Sequence, residues 1–361
     1  MKKLKQNEGR SFCVKKILRF FMWVAIVLIG LLAAVFLAFQ LSPRPGAFLI
    51  GHLFNQEVTI KDEAAYQKSL PNVTVKQDLT YQSDYQRSTF DLYYPKEAQG
   101  PVPVIFWVHG GGYVGGDKEG VKEFATYVVD ETKAAVISIN YEWAPSLHYP
   151  GQVKQLAQAV DSIKADAQAV DSIKADAQAY PMLDFDQLFF GGDSAGAQIA
   201  GQYVALQTNP AYAKEMSFDQ DIPTSALKGF ISYCGPLDLK QIVGTSSDDR
   251  FMKFFVKTVA WSLLGKKEWQ DSPQLQEISL VDKLTADFPP TYITDGNAYS
   301  FEDQGIAFAN QLQALDIPVT SRFYKGDSET VTHEYQFDYS LPQAQECLTE
   351  TLTFIKDQLA N

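Results

Sequence analysis

Gly192-Asp193-Ser194-Ala195-Gly196 constrains the fold of this chain more than any other stretch. It follows the apolar run Leu188-Phe189-Phe190 and opens the run Ala197-Gln198-Ile199-Ala200. The pattern predicts a strand, a tight turn and a helix, with a serine at the turn. A turn that sharp needs small residues two positions to either side, because a larger side chain would strike the adjoining strand or helix. It holds the serine Oγ out at the top of a sheet, beside a helix N-terminus that favours developing negative charge. The pattern is short, so it carries chemistry only if the chain also supplies a base, an acid and an oxyanion site in a workable order.

A second turn lies upstream. Residues 102–108 (VPVIFWV) form a continuous apolar run, as expected for a strand buried on both faces. His109-Gly110-Gly111-Gly112-Tyr113 follows directly, and 118–129 reads as a helix. Successive glycines let the backbone approach a substrate and turn N–H groups toward a developing oxyanion. The rival is a dinucleotide fingerprint, since Gly110, Gly112 and Gly115 fit G-x-G-x-x-G. Asp130-Glu131 lies at about the right distance, but it precedes the next strand instead of ending it. That reading also leaves the Ser194 turn unexplained.

Further buried strands are predicted at 134–140, 229–233, 289–296 and 319–323, with a hairpin over 73–79 and 88–94. Two short helices are expected near 47–54 and 63–70, and a last helix at 342–359. The chain has four histidines, of which only His333 lies downstream of Ser194. It sits in a loop between the last strand and the last helix. Serine, acid, histidine is the chain order of α/β-hydrolases, and imidazole is the natural base near neutral pH. His52 reads as a packed residue and His148 as a structural or solvated one.

His109-Gly110-Gly111-Gly112 after one strand, Tyr141, Ala144 and Pro145 after the next, and Gly-Asp-Ser-Ala-Gly at 192–196 together resemble the hormone-sensitive-lipase-like branch of the α/β-hydrolase superfamily, over roughly residues 75–358. The resemblance implies an α/β fold with a mostly parallel eight-stranded sheet, flanking helices and a small helical lid from an insertion at about 236–288. It implies oxyanion N–H groups from Gly111, Gly112 and Ala195. It places the triad acid a few residues past the strand at 289–296, usually as Asp followed by Pro. Here Tyr299 aligns with that place. The candidates are then Glu302, Asp295 and Asp303, with Glu302 favoured and Asp295 the alternative. A glutamate can orient the imidazole and stabilise its cation as an aspartate does. No cofactor or metal is implied.

Residues 20–39 form a 20-residue run without a charge, long enough to cross a bilayer core. Seven basic residues precede it against Glu8 alone, giving the first 40 residues +6 and leaving −18 of the total −12 to the rest. The positive-inside rule puts residues 1–19 in the cytoplasm and the main domain outside, with 20–40 as a single-pass signal-anchor. A cleaved signal peptide would have a shorter apolar core of about 7–15 residues and a small-x-small site. Residues 41–72 then form a linker with short helices, and 73–361 the hydrolase domain. An acidic domain argues against nucleic acid, whose phosphates need a basic face. Cys13 precedes the apolar run, so at most Cys234 and Cys347 could pair, and two buried free thiols are expected. Residues 157–166 recur unchanged at 167–176. Ten residues fall about 80° short of three helical turns, so the copies cannot pack alike, and a protruding or broken helix is expected.

The expected activity is that of a serine carboxylesterase on small or medium acyl esters. A deacylase of cell-envelope polymers or a peptidase, and a catalytically idle fold that binds a partner, are the alternatives. Nothing in the sequence specifies an oligomeric state.

Overall fold

The computed structural model describes residues 2–55, 57–168, 180–244 and 249–360. Helix α1 (Lys2–Leu41) runs without a break through the apolar stretch. Its segment Lys16–Leu41 is 26 residues long and exposed as far as Ala38, with Phe39 and Gln40 half-buried. At 1.5 Å rise it measures about 39 Å, more than the ~30 Å of a bilayer core. Ser42 and Pro43 interrupt the chain before α2 (Arg44–Phe54) and α3 (Glu63–Ser69).

The rest forms an eight-stranded sheet in the order β1-β2-β4-β3-β5-β6-β7-β8. The strands are β1 (Val73–Thr80), β2 (Thr89–Pro95), β3 (Val102–Val108), β4 (Ala135–Ile139), β5 (Leu183–Asp193), β6 (Leu227–Tyr233), β7 (Thr291–Thr294) and β8 (Val319–Arg322). Only β2 runs against its neighbours, so the sheet is mostly parallel as expected. The predicted hairpin is the antiparallel β1–β2 pair, with a bulge between Lys76 and Leu79.

Both faces of the sheet are covered, which is why its central strands are apolar throughout. Alternation along β3 sends Val104, Phe106 and Val108 into one core and Ile105 and Trp107 into the other. The first core is capped by α5 (Gly151–Gln168) and α6 (Ala195–Thr208), the second by α4 (Lys122–Thr132) and α12 (Pro342–Ala360). The predicted helix at 118–129 begins instead as a 3-10 turn, Lys118–Val121, before α4. The remaining helices are α7 (Pro210–Met216), α8 (Lys240–Gly244), α9 (Arg250–Leu264), α10 (Gln274–Ile278) and α11 (Glu302–Ala314).

The first copy of the ten-residue duplication lies inside α5, where Ala159, Val160 and Ile163 pack into the core. The second copy lies outside the described residues from 169 onward, and so does the expected protrusion or break. Cys234 and Cys347 are buried free thiols.

Candidate active site

Ser194 sits at the junction of β5 and α6 with φ 47° and ψ −120°, a backbone region that ordinary residues avoid. Its N–H donates to Tyr233 O at 2.8 Å, which anchors the turn on β6. The small neighbours have steric causes. A Cβ on Gly196 would collide with Val108 O and His109 O, and one on Gly192 with Val108 O and the backbone of Gly196 and Ala197. The turn therefore exists only because two glycines let α6 rest against the end of β3.

His333 lies in the loop between β8 and α12, and its N–H donates to Ala298 O at 3.0 Å. Its Nε2 is 3.0 Å from Ser194 Oγ. Its Nδ1 is 3.5 Å from Asp295 Oδ1, beyond a formed hydrogen bond but short enough that a small ring movement closes it. Asp295 is nearly inaccessible just past β7, and its carboxylate accepts from Gly296 N at 2.8 Å and Phe301 N at 2.7 Å. Burial alone would lower the His333 pKa. The contact with Asp295 outweighs it, aided by Glu334 and Asp193, and the imidazole pKa lies above its ordinary value.

The structure does not bring Glu302 to His333. Glu302 opens α11, and its Oε1 accepts from Tyr324 N at 2.5 Å, turned toward the start of the loop after β8. Asp303 pairs with Lys325 Nζ at the surface, 2.6 Å away. The favoured acid is thus engaged elsewhere, and the alternative, Asp295, is the carboxylate that faces the ring. The physical reason is local. Residues 295–301 fold back so that Phe301 N reaches the Asp295 carboxylate, while the helix start points Glu302 the other way.

Gly111 (φ 110°) and Gly112 (φ 59°) both require the left-handed region. Their loop is closed by Val114 N and Gly115 N, which donate to Gly111 O at 3.1 and 3.0 Å. Among the described residues no protein acceptor takes the N–H of Gly111 or Gly112. Ala195 is the first residue of α6, whose leading N–H groups have no intrahelical partner. Gly112 and Ala195 line one cavity with Ser194, so the loop faces the serine turn as the oxyanion reading expects.

Asp193 is a residue that the motif reading passed over. Its buried carboxylate accepts from Trp107 Nε1 at 2.8 Å and from Gly110 N at 2.7 Å, tying the serine turn to the glycine loop. Burial, and then the nearby Glu334, push its pKa up to about 7. An acid at the very end of an apolar strand was the available signal, since a carboxylate there must find donors inside the protein. His109 is buried and stacks on Tyr141 with ring centroids 4.5 Å apart. Burial brings its pKa down to about 4, so it stays neutral.

The cavity over Ser194 measures about 60 Å³ and is walled mainly by α9, through Phe255, Val256 and Val259, and by Trp269 and Leu275. The segment between β6 and β7, which contains α8–α10, covers the serine. His148 Nδ1 lies 2.8 Å from Ser262 O, tying this cover to the loop after β4, so its role is structural. His52 is exposed on α2. Cys234, Asp295 and His333 present ligand atoms within 4.8 Å of one another. Burial raises the Cys234 thiol pKa, and a protonated thiol is a poor metal ligand.

A model of the α/β hydrolase fold family matches residues 105–335. An esterase of Mycobacterium tuberculosis is 24% identical over 255 residues, 68% of this chain and 69% of that protein. An esterase of Gibberella moniliformis is 28% identical over 223 residues, 60% of this chain and 63% of that one. The chain spans 60%, 63% and 60% of the length of the first curated relatives it matches. Among solved structures, esterase B of Lactobacillus rhamnosus superposes with a TM-score of 0.62 at 18% identity, over 84% of this chain and 88% of that one. With the sheet order, the strained serine at the end of β5 and a family match across most of the core, the chain belongs to the α/β-hydrolase fold family.

Proposed function

We propose that this protein is a serine hydrolase that cleaves carboxylic esters through an acyl-serine, held at a membrane by α1. The observation that carries the reading is the 3.0 Å contact between Ser194 Oγ and His333 Nε2, with the Asp295 carboxylate behind the ring. Ser194 Oγ attacks the ester carbonyl while His333 Nε2 takes its proton. Asp295 holds the Nδ1–H tautomer and stabilises the imidazolium. N–H groups of Gly111, Gly112 and Ala195 receive the oxyanion, each donor contributing roughly 3–4 kcal/mol in comparable sites. The C–O bond breaks, and His333 returns its proton to the leaving alcohol. Water, deprotonated by His333, then attacks the acyl-serine and frees the acid. Relatives named as esterases support an ester as substrate.

The segment at 236–288 acts as a lid, and the narrow apolar cavity fits a small or medium acyl group. Residues 1–19 lie in the cytoplasm, α1 is an uncleaved signal-anchor and the catalytic domain is extracytoplasmic, in keeping with the seven basic residues ahead of the apolar run. The test is hydrolysis of p-nitrophenyl acetate by the full chain in detergent. Ser194→Ala is expected to remove activity, on the order of 10⁶-fold as in comparable triads. Equal rates for wild type and Ser194→Ala would overturn the reading.

A further inference from the structure

Helix α2 follows the spanning helix after two residues, and both of its faces are apolar. Gly46, Ala47, Ile50 and Gly51 are buried against the protein. Phe48, Leu49 and Leu53 lie on the opposite face and are 74%, 50% and 56% exposed. A helix in water places polar side chains outward. Here the outward stripe holds only Arg44, at the start of the helix, and His52 as polar residues. Phe251, at the start of α9, continues the exposed apolar surface.

Helix α9 is the wall between this surface and the serine. One face, with Phe255, Val256 and Val259, lines the cavity over Ser194. The other face meets the membrane-proximal helices. Phe254 packs on Phe39 of α1 (ring centroids 6.4 Å apart), and Thr258 sits against Gly46 of α2. Lys267, just past α9, donates to Gln40 O at the end of α1, 2.7 Å away. The covering helix is thus braced on the chain at the point where it leaves the apolar span. Charge agrees with this placement. Residues 250–267 contain Arg250, Lys253, Lys257, Lys266 and Lys267 and no acid, in a domain that is otherwise strongly acidic. Asp249 and Glu268 bound this basic stretch, and an apolar surface beside such a stretch suits an anionic interface.

We propose that the outward faces of α2 and α9 lie in the headgroup layer of the bilayer that α1 spans, and that the site draws its substrate, a lipid-borne ester with a short acyl group, past α9 from the membrane side. The inference rests on the anchored serine-hydrolase reading and names its substrate class. Hydrolysis breaks the acyl C–O bond, with water supplying the hydroxyl of the acid and the proton of the alcohol. The lipid alcohol stays in the bilayer and the short acid leaves to water.

The test reconstitutes the full chain in phosphatidylcholine–phosphatidylglycerol vesicles with two substrates, water-soluble p-nitrophenyl acetate and bilayer-borne 1-hexadecyl-2-acetylglycerol. The Phe48→Ser, Leu49→Ser, Phe251→Ser triple variant is expected to lose at least tenfold in rate on the lipid acetate and to stay within twofold on the soluble ester. Equal rates of wild type and variant on the lipid ester would overturn the proposal. In parallel, Leu49→Cys in a Cys13→Ser background carries an environment-sensitive fluorophore. Quenching by spin-labelled lipid is expected, and a fully aqueous signal overturns the docking whatever the rates do. If the wild type cleaves neither ester, the hydrolase reading fails on its own while the fluorophore still decides the docking.

Discussion

Two carboxylates seven residues apart compete on paper for one histidine, and their neighbours separate them. Asp295 faces His333 Nδ1 while its carboxylate accepts two backbone N–H groups, whereas Glu302 is bound to Tyr324 N. Asp295→Asn is expected to lower kcat by roughly 10⁴, the cost of presenting the wrong tautomer to the serine. Glu302→Gln keeps an acceptor for Tyr324 N and is expected to stay within a few-fold of wild type. Steady-state p-nitrophenyl acetate kinetics check both, and a large loss in Glu302→Gln alone would restore the other assignment. The same contact sets the pH profile. His333 must be neutral to take the serine proton, and its pKa is raised, so kcat/KM falls as pH drops through a midpoint above the ordinary imidazole value of about 6.5. Asp295→Asn removes the main raising influence, so the residual activity of that variant should extend to lower pH.

At the level of elements, the segment that follows the glycine loop is held to β2 by a buried ion pair. Lys118 Nζ lies 2.8 Å from Asp78 and 2.9 Å from the inaccessible Asp91 on β2, and Lys118 N donates to Asn140 Oδ1. Lys118→Met would strand the Asp91 charge in the core. Removing one partner of a buried pair costs about 3–5 kcal/mol. The expected result is a lower unfolding midpoint in urea with little change in kcat for the protein that remains folded. An unchanged midpoint would mean that Asp91 takes up a proton at no cost. The strands themselves were legible in the sequence, because a parallel sheet covered on both faces needs uninterrupted apolar runs. Residues 102–108 coincide with β3, and Ser194, His333 and the glycine turn were legible from their places after strands. Which carboxylate faces His333 was not. That depends on a six-residue loop, with Tyr299 at φ 55°, that folds back on Asp295, and no periodicity encodes that closure. Asp193 was hidden for a related reason, since its partners Trp107 and Gly110 come from a neighbouring strand and the loop that follows it.

For the whole molecule, the decisive asymmetry is electrostatic. The first 40 residues carry +6 and the remainder −18, with the apolar run of α1 at the boundary. Basic residues resist translocation, so the proposed arrangement keeps the tail inside and sends the acidic domain across. Three cysteines make this testable without new labels. Cys234 and Cys347 are buried free thiols, and burial raises the pKa of both, that of Cys347 to about 11. Thiolate is the reactive form, so neither should react in the folded protein. Cys13, in the basic tail, is left as the reporter. In intact cells a membrane-impermeant maleimide is expected to leave the chain unlabelled, and permeabilisation should produce single labelling that Cys13→Ser abolishes. Labelling of Cys13 in intact cells would invert the topology. It would put Ser194 on the cytoplasmic side, and the basic collar of α9 would then face the inner leaflet.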